Sequence, residues 1–86
     1  MRLDKFLKVS RIIKRRTIAN EACSLGRVSV NGKAAKPSHE VKEGDELTIT
    51  FGNHVLRARV ESTQPHAQKA DAPGMYSILE GNENDF

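Results

Sequence analysis

Four cations within seven residues, Arg11-Ile12-Ile13-Lys14-Arg15-Arg16-Thr17, set the strongest limit on how this chain folds. Such a run reads as a charged corner, with an amphipathic helical pattern on each side of it. Before the corner, Leu3, Phe6, Leu7 and Ser10 fall at i, i+3, i+4 and i+7, which places three apolar groups on one helix face. Arg2, Lys5 and Lys8 line another face, and Asp4 is spaced to pair with Lys8 at i, i+4. After the corner, the spacing predicts a second helix from about Lys14 to Leu25. Its apolar side is expected to be Ile18, Ala22 and Leu25, with Ala19 and Cys23 beside them. Gly26 then suits a left-handed C-cap, and Arg27 follows at the negative end of the helix dipole.

That boundary puts Lys14, Arg15 and Arg16 in the first helical turn, where the macrodipole is positive and cations are locally disfavoured. A phosphate resolves the conflict, because the unpaired amides of a helix N-terminus and adjacent arginine forks bind the same anion. Beyond the helices, Val28-Ser29-Val30 runs into Asn31-Gly32, the pair preferred by type I′ hairpin turns, and Lys33 and Lys36 continue the basic surface. Pro37 to Glu40 reads as a connection, and Lys42-Glu43-Gly44-Asp45 as a turn. Leu47, Ile49 and Phe51 alternate with polar residues, Gly52-Asn53 breaks the run, and Leu56, Ala58 and Val60 alternate again, giving a second hairpin that closes a small sheet on the helices. The pattern weakens from Glu61. Residues 63–74 read as a flexible linker, Met75 to Leu79 as a short strand or helical turn docked on the body, and Gly81 to Phe86 as a frayed end.

The charge is divided unevenly along the chain. Through Lys36 there are ten Lys and Arg against two acids, and from Pro37 onward four against nine. One end therefore makes a polyanion-binding face, while the other is neutral or repulsive to nucleic acid. The chain of 86 residues has room for a single modest core and no added catalytic domain. No apolar run approaches the roughly 20 residues of a membrane span, and the start lacks the apolar stretch of a secretory signal, so a cytoplasmic location without membrane attachment is expected. Cys23, the only cysteine, is assigned to the core. His39, His54 and His66 lack metal-site spacing, and there is no Gly-rich phosphate loop, so no metal, cofactor or catalytic activity is expected. With three Phe and one Tyr, two of them on apolar faces, single-strand binding by stacking is disfavoured. Folded RNA, read through its phosphates and shape, fits better.

Arg2-Leu3-Asp4-Lys5-Phe6-Leu7, then Lys14-Arg15-Arg16-Thr17 opening a helix, then Gly26-Arg27-Val28-Ser29-Val30-Asn31-Gly32-Lys33, then Val41 through Asp45, together resemble the RNA-binding domain of the small-subunit ribosomal protein S-four type. The resemblance implies an α+β fold with the αL motif: two N-terminal helices and a hairpin packed on a small, mainly antiparallel sheet, followed by a C-terminal tail. It implies an RNA-binding domain over residues 1–62, the linker, and a partly docked tail over 75–86. It also places Arg2, Lys5, Lys8, Arg11, Arg15, Arg16, Thr17, Arg27 and Lys33 at or near RNA, with Asp4 orienting a neighbouring arginine; the cationic run itself adds Lys14 to the expected RNA-binding set. Lys14 departs from the family pattern, standing where many members carry a capping Ser or Thr.

A domain of this type standing alone with a short tail is similar to the bacterial ribosome-quality-control members of the family. The implied function is non-catalytic: a monomer that binds large-subunit rRNA and peptidyl-tRNA on an obstructed large ribosomal subunit, and supports alanine tailing by an RqcH-like factor. One alternative is a heat-shock-type factor that rescues the same blocked subunit without tailing. Another is a helix-turn-helix DNA regulator, which needs a dimer interface and a polar recognition helix; beyond Thr17 the second helix offers mainly Asn20, Glu21 and Ser24.

Overall fold

A computed structural model describes residues 1–63, 72 and 74–81. The first helix, α1, spans Leu3–Val9 and buries Leu3, Phe6 and Leu7 together with Asp4. Ser10 caps its C-terminal end and is also buried, so the side read from the helical spacing is the side turned inward. The next residue, Arg11, takes a left-handed conformation with φ 64°, and its amide donates to the Lys8 carbonyl at 3.0 Å. A non-glycine residue there carries strain of roughly 1–2 kcal/mol. Ile12 and Ile13, inside the cationic run, are 2% and 5% exposed. They pin the corner to the core while its charges face outward.

The second helix, α2, spans Arg16–Ser24 and so begins later than the expected Lys14. Lys14 lies outside it, and Arg15 is its extended N-cap without a side-chain capping bond. The reason is chemical: lysine and arginine side chains carry only donors, and a helix start needs an acceptor. Only Arg16 of the three cations sits in the first turn. The buried face also differs from the expected one, because Ala19, Ala22 and Cys23 face the core while Ile18 and Leu25 are 41% and 59% exposed. Small side chains let α2 approach its neighbours closely, and that rotation turns the two larger ones outward.

At the C-terminal end of α2 the Arg27 amide donates to Ala22 and the Gly26 amide to Cys23, at 2.9 and 3.0 Å. With Gly26 at φ 76° this is a Schellman motif, which satisfies two of the last carbonyls and turns the chain into the sheet. Strand β1 (Val28–Val30) pairs with β2 (Lys33–Ala34) across Asn31-Gly32, whose φ values of 52° and 87° suit a type I′ turn. Strands β3 (Glu46–Phe51) and β4 (His54–Val60) form the second hairpin. A fifth strand, β5 (Tyr76–Glu80), pairs antiparallel with β4, giving the order β2-β1-β3-β4-β5.

Register explains the core. Val28 and Val30 stand opposite Ile49 and Leu47, which in turn stand opposite Leu56 and Ala58. All six are buried on the face covered by the helices. On the other face Glu46 and Arg57 form an ion pair at 3.2 Å, and Arg59 is exposed. The α+β fold is therefore two short helices laid on one side of a five-stranded antiparallel sheet. Met75, just before β5, is 1% exposed and belongs to the same core. Most of the expected linker over 63–74 and residues 82–86 of the tail lie outside the described residues. No helix among the described residues is long and apolar enough to cross a membrane.

Candidate RNA-binding surface

The two helix starts differ in what they offer an anion. At α1, the Leu3 amide donates to the His39 carbonyl at 2.8 Å and the Asp4 amide to the Pro37 carbonyl at 3.2 Å. That end is occupied by the chain itself. At α2, the Ala19 amide makes the first bond of the helix, to the Arg15 carbonyl at 3.0 Å. The amides of Arg16, Thr17 and Ile18 therefore project beyond the helix end, where the dipole favours negative charge.

The cationic corner folds back so that the first turn of α2 stands beside the first turn of α1. Asp4 is the contact between them, and its side chain is 3% exposed. One carboxylate oxygen, Oδ1, accepts from Arg2 Nε at 3.1 Å and from the Lys5 amide at 2.8 Å. The other, Oδ2, accepts from Arg2 Nη2 and Asn20 Nδ2, both at 3.3 Å, and lies 3.5 Å from Arg16 Nε. The i, i+4 partner expected for Asp4 was Lys8, but the buried position of Asp4 turns it toward α2 instead. Burial alone would raise its carboxyl pKa; the bonds from Asn20 and Arg2, the Arg16 charge and the Lys5 amide together outweigh this and hold it below the ordinary aspartate value. Asp4, Arg16, Thr17 and Asn20 line an open depression of about 420 Å³.

Around this hub the structure groups part of the expected set. Arg2 and Arg16 meet at Asp4, Thr17 lies beside them, and Lys8, Arg11, Lys14 and Arg15 are exposed along the corner and α1, with Lys5 half-buried. Two residues stand apart. Arg27 is at the opposite end of α2, its guanidinium 6.0 Å from the centre of the Phe51 ring, within the range of a cation–π contact. Lys33 lies at the hairpin, bordering an open groove of about 650 Å³ shared with His39 and Lys42. Asn31 beside it is structural in its bonding, donating to Asp45 at 3.1 Å and accepting from the Glu46 amide at 3.0 Å.

Asn20 was absent from the expected site. Its position at i+4 from Arg16 was the available signal, since that spacing puts both side chains on one helix face. Cys23 is buried, and burial followed by the nearby Asp4 charge pushes its thiol pKa up to about 11. It stays a protonated thiol at neutral pH, which suits packing and not nucleophilic chemistry.

A glycine at position 11 isolates charge from strain. Arg11→Gly is expected to leave the fold equally stable or up to about 1 kcal/mol more stable in thermal melts, because glycine takes a positive φ without penalty. The same change removes one exposed cation and should lower the salt dependence of RNA binding by about one phosphate contact. A lower melting temperature for this variant would contradict the reading of Arg11 as strained.

The model of the S4 domain family matches residues 1–47, which hold both helices, the first hairpin and the start of β3. A protein of Listeria innocua described as an RQC P-site tRNA stabilizing factor is 52% identical over 85 residues, covering 99% of this chain and 92% of the relative. The Bacillus subtilis protein of the same description is 53% identical over 79 residues, covering 92% of both. Among solved structures, the trimeric structure of Vibrio cholerae heat shock protein 15 superposes with a TM-score of 0.84 at 31% identity, covering 92% of this chain and 81% of that one. With the family model matched over more than half its length and half of its residues shared with relatives of nearly equal extent, the chain belongs to the S4-domain family and, within it, to the group of RQC P-site tRNA stabilizing factors.

Proposed function

We propose that this protein is a non-catalytic factor of bacterial ribosome quality control that acts as RqcP does, binding an obstructed large ribosomal subunit and its peptidyl-tRNA. The observation that carries the reading is the paired guanidinium groups of Arg2 and Arg16, half exposed and gathered at the uncapped start of α2. Phosphates of folded RNA would meet two forks, three helix amides and the surrounding cations Lys5, Lys8, Arg11, Lys14 and Arg15, with Thr17 as a hydroxyl donor. Arg27 and Lys33 extend the track to the far end of α2 and to the hairpin. Residues 1–62 would make the RNA-binding domain, with 63–74 as a link and 75–86 as a tail, and the protein would act as a monomer in the cytoplasm.

In this reading the factor holds the tRNA in place while an RqcH-like partner adds an alanine tail to the stalled peptide. No bond-making group is needed for that task. The relatives named as P-site tRNA stabilizing factors support it. The likeness to heat shock protein 15 favours one alternative, a factor that rescues the blocked subunit without tailing. Crosslinking in cells followed by identification of bound RNA tests the binding, and measuring alanine tails with and without the factor separates the two roles. Large-subunit rRNA with tRNA is the expected catch; scattered messenger RNA or genomic DNA would overturn the proposal. Binding to peptidyl-tRNA-bearing large subunits should also fall steeply with rising salt, because several phosphate contacts release counterions. Salt-independent binding would contradict an electrostatic interface.

A further inference from the structure

Ile18 and Leu25 are 41% and 59% exposed, and the cationic corner makes no use of them. They stand seven residues apart, so they share one flank of α2, with Glu21 between them at i+3 from the first and i−4 from the second. At about 100° per residue that flank lies roughly opposite Arg16 and Asn20, the side chains that reach Asp4. One side of α2 is thus turned to α1, and an apolar side is turned away from it.

Glu21 is the only acid between Asp4 and Glu40, a span that holds nine Lys and Arg. It is exposed, and its carboxylate has no ion pair or hydrogen bond among the described residues. It also lies in the last turn of α2, where the dipole disfavours negative charge. The described fold therefore gives this charge no partner, and RNA phosphates would repel it. A protein surface fits all three side chains, with apolar groups to cover Ile18 and Leu25 and a Lys or Arg to meet Glu21. Their spacing is the one by which a helix seats in an apolar groove. Because Ile18 shares the first turn of α2 with Arg16 and Thr17, that surface must adjoin any RNA held at the corner. A protein that itself lies on RNA carries the cations that Glu21 lacks.

We propose that the flank of α2 carrying Ile18, Glu21 and Leu25 docks on a basic, apolar-faced protein segment of the obstructed-subunit complex, so that one helix bridges RNA and protein. This docking depends for its setting on the RNA-binding reading of the corner, but it uses none of the corner's cations. Three side chains make a small contact, which adds to the affinity of the RNA contacts because the two are linked.

Two probes test the proposal: peptidyl-tRNA-bearing large subunits with their proteins in place, and protein-free large-subunit rRNA mixed with tRNA. Ile18→Ser combined with Leu25→Ser should bind the protein-free RNA as wild type does and the intact subunits about tenfold more weakly. Glu21→Lys should bind the protein-free RNA more tightly, since a cation replaces an acid, while its ratio of intact-subunit to protein-free affinity falls about tenfold. An unchanged ratio in either variant overturns the proposal, including equal weakening on both probes, which would assign the flank to RNA. A dimer in sedimentation that the serine pair dissolves would overturn it in favour of a second copy. Should the serine pair fail to fold, Glu21→Lys and a benzophenone side chain placed at Leu25 carry the test: crosslinks to protein are expected, and crosslinks to RNA alone overturn the proposal. If Arg16→Ala binds both probes as wild type does, the RNA-binding reading of the corner has failed, a result distinct from an unchanged ratio at Ile18, Glu21 and Leu25.

Discussion

Arg16→Ala is expected to weaken binding to peptidyl-tRNA-bearing large subunits by about 1 to 3 kcal/mol, the range for losing one arginine that forks a phosphate or base. Sequence spacing alone would have the free protein unharmed or slightly stabilised, because a cation at a helix start opposes the dipole. The structure revises that expectation: Asp4 lies 3.5 Å from Arg16 Nε, so the charge already has a partner. Asp4 would keep its bonds to Arg2, Asn20 and the Lys5 amide. The arginine of the lost pair is half exposed and the buried carboxylate keeps its other partners, so the fold should lose no more than about 1 kcal/mol. Arg2→Ala should act in the same direction on binding. Arg59→Ala, on the sheet face away from the helices, should do little. Co-sedimentation with purified large subunits and melting curves read both quantities, and equal binding by the Arg16 and Arg59 variants would remove the cationic corner as the interface.

Leu7→Ala should produce the largest loss of stability, about 2 to 5 kcal/mol, because truncating a buried leucine forfeits its transfer energy and leaves a cavity. Leu7 is 0% exposed, in one cluster with Leu3, Phe6, Ile12 and Ile13. A domain of this size has roughly 5 to 10 kcal/mol to lose, so the melting temperature should fall by more than about 10 °C. RNA binding should fall with the folded fraction and recover at lower temperature or with excess RNA, since ligand binding to the native state shifts the equilibrium back. A melting temperature within about 2 °C of wild type would mean that the inner face of α1 is assigned wrongly.

The elements were legible in the sequence wherever a short-range rule governs them. The spacing of Leu3, Phe6, Leu7 and Ser10 marks the inner face of α1, Gly26 marks the end of α2, Asn31-Gly32 marks the first hairpin, and alternation marks the inner faces of β3 and β4. Each depends on dihedral preferences or periodicity within a few residues. The excess of positive charge before Pro37 is equally local, and with the motif residues it was enough to indicate the family.

What only the tertiary structure decided depends on which side chains the packing brings together. Periodicity could not choose between the Ile18–Leu25 and Ala19–Cys23 sides of α2, because both repeat at helical spacing; close approach to neighbouring elements selected the small residues. It could not show Ile12 and Ile13 as anchors inside a charged run, nor place β5 beside β4. Above all, Asp4 and Asn20 are 16 residues apart, and local spacing would pair Asp4 with Lys8. The fold instead buries the carboxylate between two helix starts, and desolvation there makes the bonds from Arg2 and Asn20 and the nearby Arg16 charge necessary.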